Sequence, residues 1–354
     1  MRETEEIQAL MLRLSGATGV SGAEEEIASR IEAELPAAAE CRRTALGSVE
    51  AVLGRGRGKK VMTAAHMDEV GFMVTDITSD GYLKFDEVGG LDRRVVLGKT
   101  VTVGKNKVNG VIGVKPIHLS KSDERTAVPK YGEMYIDIGA TSKEDAVENF
   151  GIRIGEPIIS DVHFSYDEEH DVMIGKGFDC RIGCAALLET MRRLSDENLN
   201  VDLVGVLSTQ EELGERGVKV AVGKVAPQIA LCFEGCPADD TFTEPYAIQT
   251  ALKKGPMLRF MDKSIVCSPR YQRYVLDLAE EKGLAVQSSV REGGGNNGAI
   301  INTSLDGIPV IVVGVPVRYI HSHYGITSYY DFEATVQLAT EVVRSMTEEI
   351  IRSF

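Results

Sequence analysis

In the second half of the chain, strand-length apolar runs alternate with segments of helical period, and this alternation narrows the choice of fold more than any other feature. Residues 201–208 (VDLVGVLS), 228–233, 257–260, 285–290 and 309–314 read as strands. Residues 180–194, 269–282, 297–304 and 331 to the carboxyl end space their apolar positions as helices do. Apolar runs that keep returning between helices call for an α/β fold, a mixed sheet sandwiched by helices. The amino-terminal part adds to the same unit. Ser21 and Glu24 have capping-box spacing ahead of Ile27, Ile31 and Leu35, and residues 49–53 and 60–65 read as strands.

Between residues 71 and 161 the pattern changes. GFMVTDI, YLKFDEV, KTVTVG, VNGVIGV, EMYIDIG and EPIIS follow one another with Gly and polar separators. Only residues 141–150 suggest a helix, with Thr141 and Glu144 in capping-box spacing. Many short strands in succession predict a small β-barrel. A chain of 354 residues exceeds one ordinary core. The expected division is one α/β domain formed by residues 1–70 and 165–354, interrupted by a β-rich domain at 71–164.

Charge excludes some partners. With 39 basic and 53 acidic residues the net charge is −14, so the chain has no general attraction for nucleic acid or anionic lipid. The longest apolar stretch, residues 308–317, is far too short to span a bilayer and contains Pro309 and Pro316. MRETEEIQALMLRL lacks the basic and apolar regions of a signal peptide. A cytoplasmic protein is expected. Cys180 and Cys184, and Cys232 and Cys236, have C-x3-C spacing. They sit in apolar segments without a C-x2-C knuckle, which favours buried reduced thiols over a structural zinc site.

Chemistry-bearing residues gather where strands end. His66 closes an apolar run, and Asp68, two residues on, is placed to accept from its second nitrogen. Asp179 opens the helix at 180, a position that taken alone favours an N-cap over a carboxylate bridging two metals. Glu211 and Glu212 follow VDLVGVLS, and adjacent carboxylates at a buried strand end need a cation, a proton or solvent. Glu234 and His321 complete the set. Each alone has an ordinary explanation as a polar strand end or satisfied side chain. Ligands of open α/β sheets bind beyond the carboxyl ends of the strands, so residues from 66 to 321 can converge on one crevice. Two imidazoles with several carboxylates suit zinc or a similar borderline metal, and a bridging aspartate suits two ions roughly 3.5–4 Å apart.

AHMDEVGFMV, GFDCRIGC, TQEELGERG and GVPVRYIHS, in that order, resemble the signature segments of the M42 metallo-aminopeptidases. The resemblance covers nearly the whole chain. It implies that His66, Asp179 and Glu234 hold one divalent metal and that Asp179, Glu212 and His321 hold the other, with zinc or cobalt as the ions. It also implies that Asp68 orients His66, that Glu211 is the general base toward a water activated by both metals, and that short peptides lose their N-terminal residues. The insert becomes a dimerisation domain, and dimers of such proteins assemble into dodecamers.

Three departures from the family pattern bear on the substrate. Glu234-Gly235 stands where Asp-Val is usual. The loop from Gly293 to Ile300 carries Asn296-Asn297 in place of a Thr-Asp pair, and His323-Tyr324-Gly325 replaces the usual Pro-x-Glu. A metal-dependent deacylase or amidase on small N-acyl compounds is the alternative enzyme, and a metal-binding assembly protein without activity is the alternative outside enzymes. A glycosidase leaves His66 and His321 without a task.

Overall fold

A computed structural model describes residues 4–56, 58–122 and 125–354. The first three residues of the amino-terminal stretch and two residues of the insert lie outside the described residues. The strands, in chain order, begin with β1 (Glu40–Arg43), β2 (Val49–Leu53) and β3 (Lys60–His66). There follow β4 (Gly71–Ile77), β5 (Leu83–Val88), β6 (Thr100–Val103), β7 (Val108–Val114), β8 (Met134–Asp137) and β9 (Pro157–Ser160). Next come β10 (Ser165–Asp167), β11 (Val172–Gly175), β12 (Asp202–Ser208) and β13 (Ile229–Pro237). The last are β14 (Met257–Met261), β15 (Gln287–Val290), β16 (Val310–Val317) and β17 (Gly325–Thr327).

Among the described residues, one eight-stranded sheet has the order β1-β2-β12-β3-β13-β16-β14-β15. Its centre, β12-β3-β13-β16, is parallel, and β14 runs antiparallel to β16, so the sheet is mixed. Every residue of β12 and β16 is buried, as near-continuous apolar runs require when helices cover both faces. Val61, Leu231 and Val313 pack with helices Thr4–Ser15, Glu25–Glu34, Phe178–Leu194, Pro269–Lys282 and Tyr329–Ser345 on one face. Met62, Ala64, Cys232 and Val312 pack with helices Arg216–Val225 and Asn297–Asn302 on the other. Among the described residues no helix is long and apolar enough to cross a membrane.

Each of the six β-like runs of the insert forms one strand, and these close a barrel in the order β4-β5-β8-β7-β6-β9. Phe72, Val74, Phe85, Val101, Ile112, Ile136 and Ile158 fill it with a core of its own.

Three local expectations fail. Helix Arg216–Val225 was not expected, because RGVKVAVGKV contains two glycines and mimics strand alternation; its buried residues Gly217, Val218, Ala221, Val222 and Val225 nonetheless follow a helical period. The capping box at Thr141 and Glu144 is shifted by one residue: Ser142 caps helix Lys143–Glu148 by accepting from the Asp145 amide. Ser21 and Glu24 form no capping box either. Helix Glu25–Glu34 begins without a side-chain cap. Ser21 donates to Asp68 instead, at 2.6 Å, and Glu24 accepts from the Gln210 amide at 3.0 Å. Tertiary partners outcompete the local ones.

Candidate metal centre

The parallel strands deliver the site residues by register. Ser208 pairs with His66, and Cys232 with Ala64, so His66, the last residue of β3, stands level with Glu234, which lies within β13. Glu211 and Glu212 lie just beyond β12. Asp179 sits at the start of helix Phe178–Leu194, where its φ/ψ of −88° and 100° are not helical. The N-cap expected of Asp179 is absent: Gly177 takes that position, without a side-chain cap. His321 follows β16 in a left-handed conformation, φ 55°.

All five proposed ligands meet. The Nε2 of His66 lies 3.1 Å from Oδ1 of Asp179 and 3.6 Å from Oε2 of Glu234. The Nε2 of His321 lies 3.2 Å from Oδ2 of Asp179 and 3.9 Å from Oε1 of Glu212. Asp179 therefore turns one oxygen to each imidazole. Glu211 stands 3.9 Å from the Nε2 of His66. These residues line a cavity of about 300 Å³ together with Glu215, Arg259, Gly294 and Gly295.

Hydrogen bonds set the tautomers. The Nδ1 of His321 is 2.7 Å from the carbonyl of Gly90, which follows β5 of the barrel. That of His66 is 3.2 Å from the carbonyl of Asp68 and 3.5 Å from its Oδ1. An imidazole donating from Nδ1 leaves a lone pair on Nε2, and here both lone pairs face carboxylate oxygens. Asp68 lies beside His66 as expected, but its carboxylate also accepts the amides of Glu211 and Glu212, at 3.0 and 3.2 Å.

Proton affinities reflect the crowding of acid. Burial raises the pKa of Glu211 well above the usual carboxylate range, and Glu234, Glu212 and Asp179 add to this against the pull of His66. Burial and Asp179 push Glu212 up to about 7. Burial also raises Asp179, but hydrogen bonds from His321 and His66 outweigh it and hold that carboxyl low. The bond to Asp179 lifts His321 to about 10.

The donor set fits divalent cations. Oε1 of Glu212 and Oε1 of Glu234 are buried without a hydrogen-bond partner. Two imidazole lone pairs facing carboxylates repel unless protons or cations lie between them. Separations of 3.1–3.9 Å match the edges of a shell whose ligands sit about 2.0–2.2 Å from an ion. Asp179, Glu212 and His321 form one such group, and His66, Asp179 and Glu234 a second that Cys180 adjoins. Burial keeps the Cys180 thiol protonated, and it donates to the carbonyl of Phe233. All six cysteines are free, five of them buried.

Asn296 caps helix Asn297–Asn302 and donates to Asp262, and Asn297 donates to Ser208. His323 is buried beside Lys99 and Thr100 and does not line the cavity. Arg259 does line it, with Nε buried and unpartnered. Sequence reasoning missed Arg259, whose only signal is a charge inside an apolar strand. It also missed Gly90, whose backbone carbonyl carries no signal at all.

The family model described as M42 glutamyl aminopeptidase matches residues 47–338. A putative aminopeptidase of Acetivibrio thermocellus is 33% identical over 342 residues, 96% of this chain and 99% of that protein. The crystal structure of a TET aminopeptidase from a marine sediment Thaumarchaeota archaeon superposes with a TM-score of 0.95 at 34% identity, covering 99% of both chains. The TET1 peptidase of Pyrococcus horikoshii, which can assemble into a tetrahedron or a large octahedral shell, has a TM-score of 0.87 at 31% identity, over 96% of this chain and all of that one.

Proposed function

The chain belongs to the M42 glutamyl aminopeptidase family, and on that premise we propose that it removes N-terminal residues from short peptides at a two-metal centre. One observation carries the proposal: the two oxygens of Asp179 face two different imidazoles, at 3.1 and 3.2 Å. His66, Asp179 and Glu234 would hold one ion and Asp179, Glu212 and His321 the other, with zinc or cobalt as the metal. Divalent cations bound there supply Lewis acidity toward a peptide carbonyl and water.

The remaining steps belong to the chain. Glu211 takes a proton from the attacking water and returns it to the departing amine. Asp68 holds the backbone of Glu211 and Glu212, and its carbonyl orients His66. The division into a catalytic part, residues 1–70 and 165–354, and an inserted part, 71–164, is supported by the separate core of the barrel. We assign self-association to the insert, into dimers and, as in the TET1 peptidase, larger shells.

The test is hydrolysis of a panel of aminoacyl-anilides by chelated protein, before and after addition of zinc or cobalt, beside a panel of acyl-amino acids. Metal-restored cleavage of the aminoacyl set is expected. Cleavage confined to the acylated set, or full activity in EDTA, contradicts the proposal.

A further inference from the structure

The loop that carries Glu211 and Glu212 has no regular secondary structure, yet the four amides from Thr209 to Glu212 each have a partner. Residue Gln210 is left-handed, φ 55°. On the carbonyl side the loop is tied to the turn that follows it: Gly217 N donates to Thr209, Arg216 N to Gln210, and Gly214 N and Glu215 N to Glu211. On the amide side every partner is a side chain from a distant part of the chain. Thr209 N donates to Oγ of Ser48 at 3.1 Å and Gln210 N to Oε1 of Glu24 at 3.0 Å. Glu211 N and Glu212 N donate to the two oxygens of Asp68. Asp68 Oδ2 is itself fixed by the hydroxyl of Ser21 at 2.6 Å. Ser21, Glu24, Ser48 and Asp68 are all buried, at 2%, 6%, 0% and 0% exposure, and none of Ser21, Glu24 and Ser48 lines the cavity.

Backbone donors withdrawn from water must be paired, and the amides from Thr209 to Glu212 are paired by side chains alone. The four foreign oxygens therefore select one backbone path from Thr209 to Glu212, and that path sets where the Glu211 carboxylate stands. We infer that Ser21 and Glu24, from the turn before the second helix, are positioning residues for the general base, acting through Asp68 and through the Gln210 amide. This rests on the reading of Glu211 as the base. General-base transfer tolerates little displacement, and a misplacement of about 1 Å costs roughly 100-fold in rate.

The experiment compares the metal-loaded wild type with Ser21→Ala, Glu24→Ala and Glu24→Gln. It measures kcat, KM, bound metal, and amide hydrogen exchange at residues 209–212. Ser21→Ala and Glu24→Ala are expected to lower kcat about 10- to 100-fold with KM and bound metal unchanged. Exchange at residues 209–212 should quicken about tenfold while the central strands stay protected. Glu24→Gln keeps an oxygen for the Gln210 amide and should recover most of the lost kcat. Unchanged kcat and exchange in both alanine variants overturns the inference. So does a joint loss of kcat, KM, metal and protection throughout the sheet that Gln fails to restore, because that is a general folding defect. A wild type that cleaves no aminoacyl substrate overturns the aminopeptidase reading, and the exchange comparison still decides whether Ser21 and Glu24 hold the loop.

Discussion

The carbonyl of Gly90 lies 2.7 Å from Nδ1 of His321, so a residue just beyond a barrel strand orients a side chain of the candidate metal centre. The neighbouring Gly89 has φ 76°, and a Cβ there would come within 2.8 Å of Val70 and 3.1 Å of Glu212. Gly89→Ala adds backbone strain of about 1–2 kcal/mol and pushes on Glu212. The expected result is a 10- to 100-fold weaker affinity for one of two bound metals, in the range found when groups supporting a ligand are disturbed. Metal titration by calorimetry reads it, and two equally weakened sites would refute it. At Gly90 a Cβ meets His321 only at 3.6 Å, so Gly90→Ala should be mild.

Glu211→Gln keeps the shape of the side chain and removes its proton affinity. Bound metal should stay at the wild-type level while kcat falls by about 100-fold or more. Steady-state kinetics with metal analysis on the same sample provides the check, and undiminished turnover removes Glu211 from the role of base.

Glu69 is buried beneath the site between two cations. Its Oε1 accepts from Lys176 Nζ at 2.6 Å and faces Arg181 NH2 at 3.3 Å. Glu69→Ala leaves both positive charges buried and uncompensated, which costs about 3–5 kcal/mol. A clear fall in the midpoint of chemical denaturation is expected, and an unchanged midpoint would show that water or a second carboxylate replaces Glu69.

Metal-free protein should lose stability as pH rises. Glu212 binds its proton more tightly folded than unfolded, at about 7 against 4.5, so its contribution is full below 4.5 and lost as pH climbs through 7. His321, lifted from 6.5 to about 10, contributes fully below 6.5 and loses that contribution toward 10. Melting temperature in EDTA should therefore drop between pH 5 and pH 10, and zinc should flatten the profile. A metal-free profile that rises over this range contradicts the assignment.

Much of this architecture was legible because it depends on periodicity. The strand runs ending at His66, Ser208 and Phe233 announce themselves by buried apolar length, and the six runs of the insert by alternation. What was not legible depends on contacts across the chain. Ser21 and Glu24 match a local capping pattern, but Asp68 and the Gln210 amide, distant in sequence, draw them away. Arg216–Val225 hides its helical period behind valines and glycines. The help that Gly90 gives His321 comes from a main-chain oxygen, which every residue possesses and none advertises.

The candidate metal ligands come from separate elements of the fold, spread from His66 to His321. No shorter stretch of the growing polypeptide contains both halves of the cluster. During synthesis the complete pair of sites cannot exist until the segment carrying His321 has been made. Metal binding draws on folded structure, so the ions would be acquired late, after the barrel's own core has been made. A nascent or truncated chain would then have no means of cutting its neighbours.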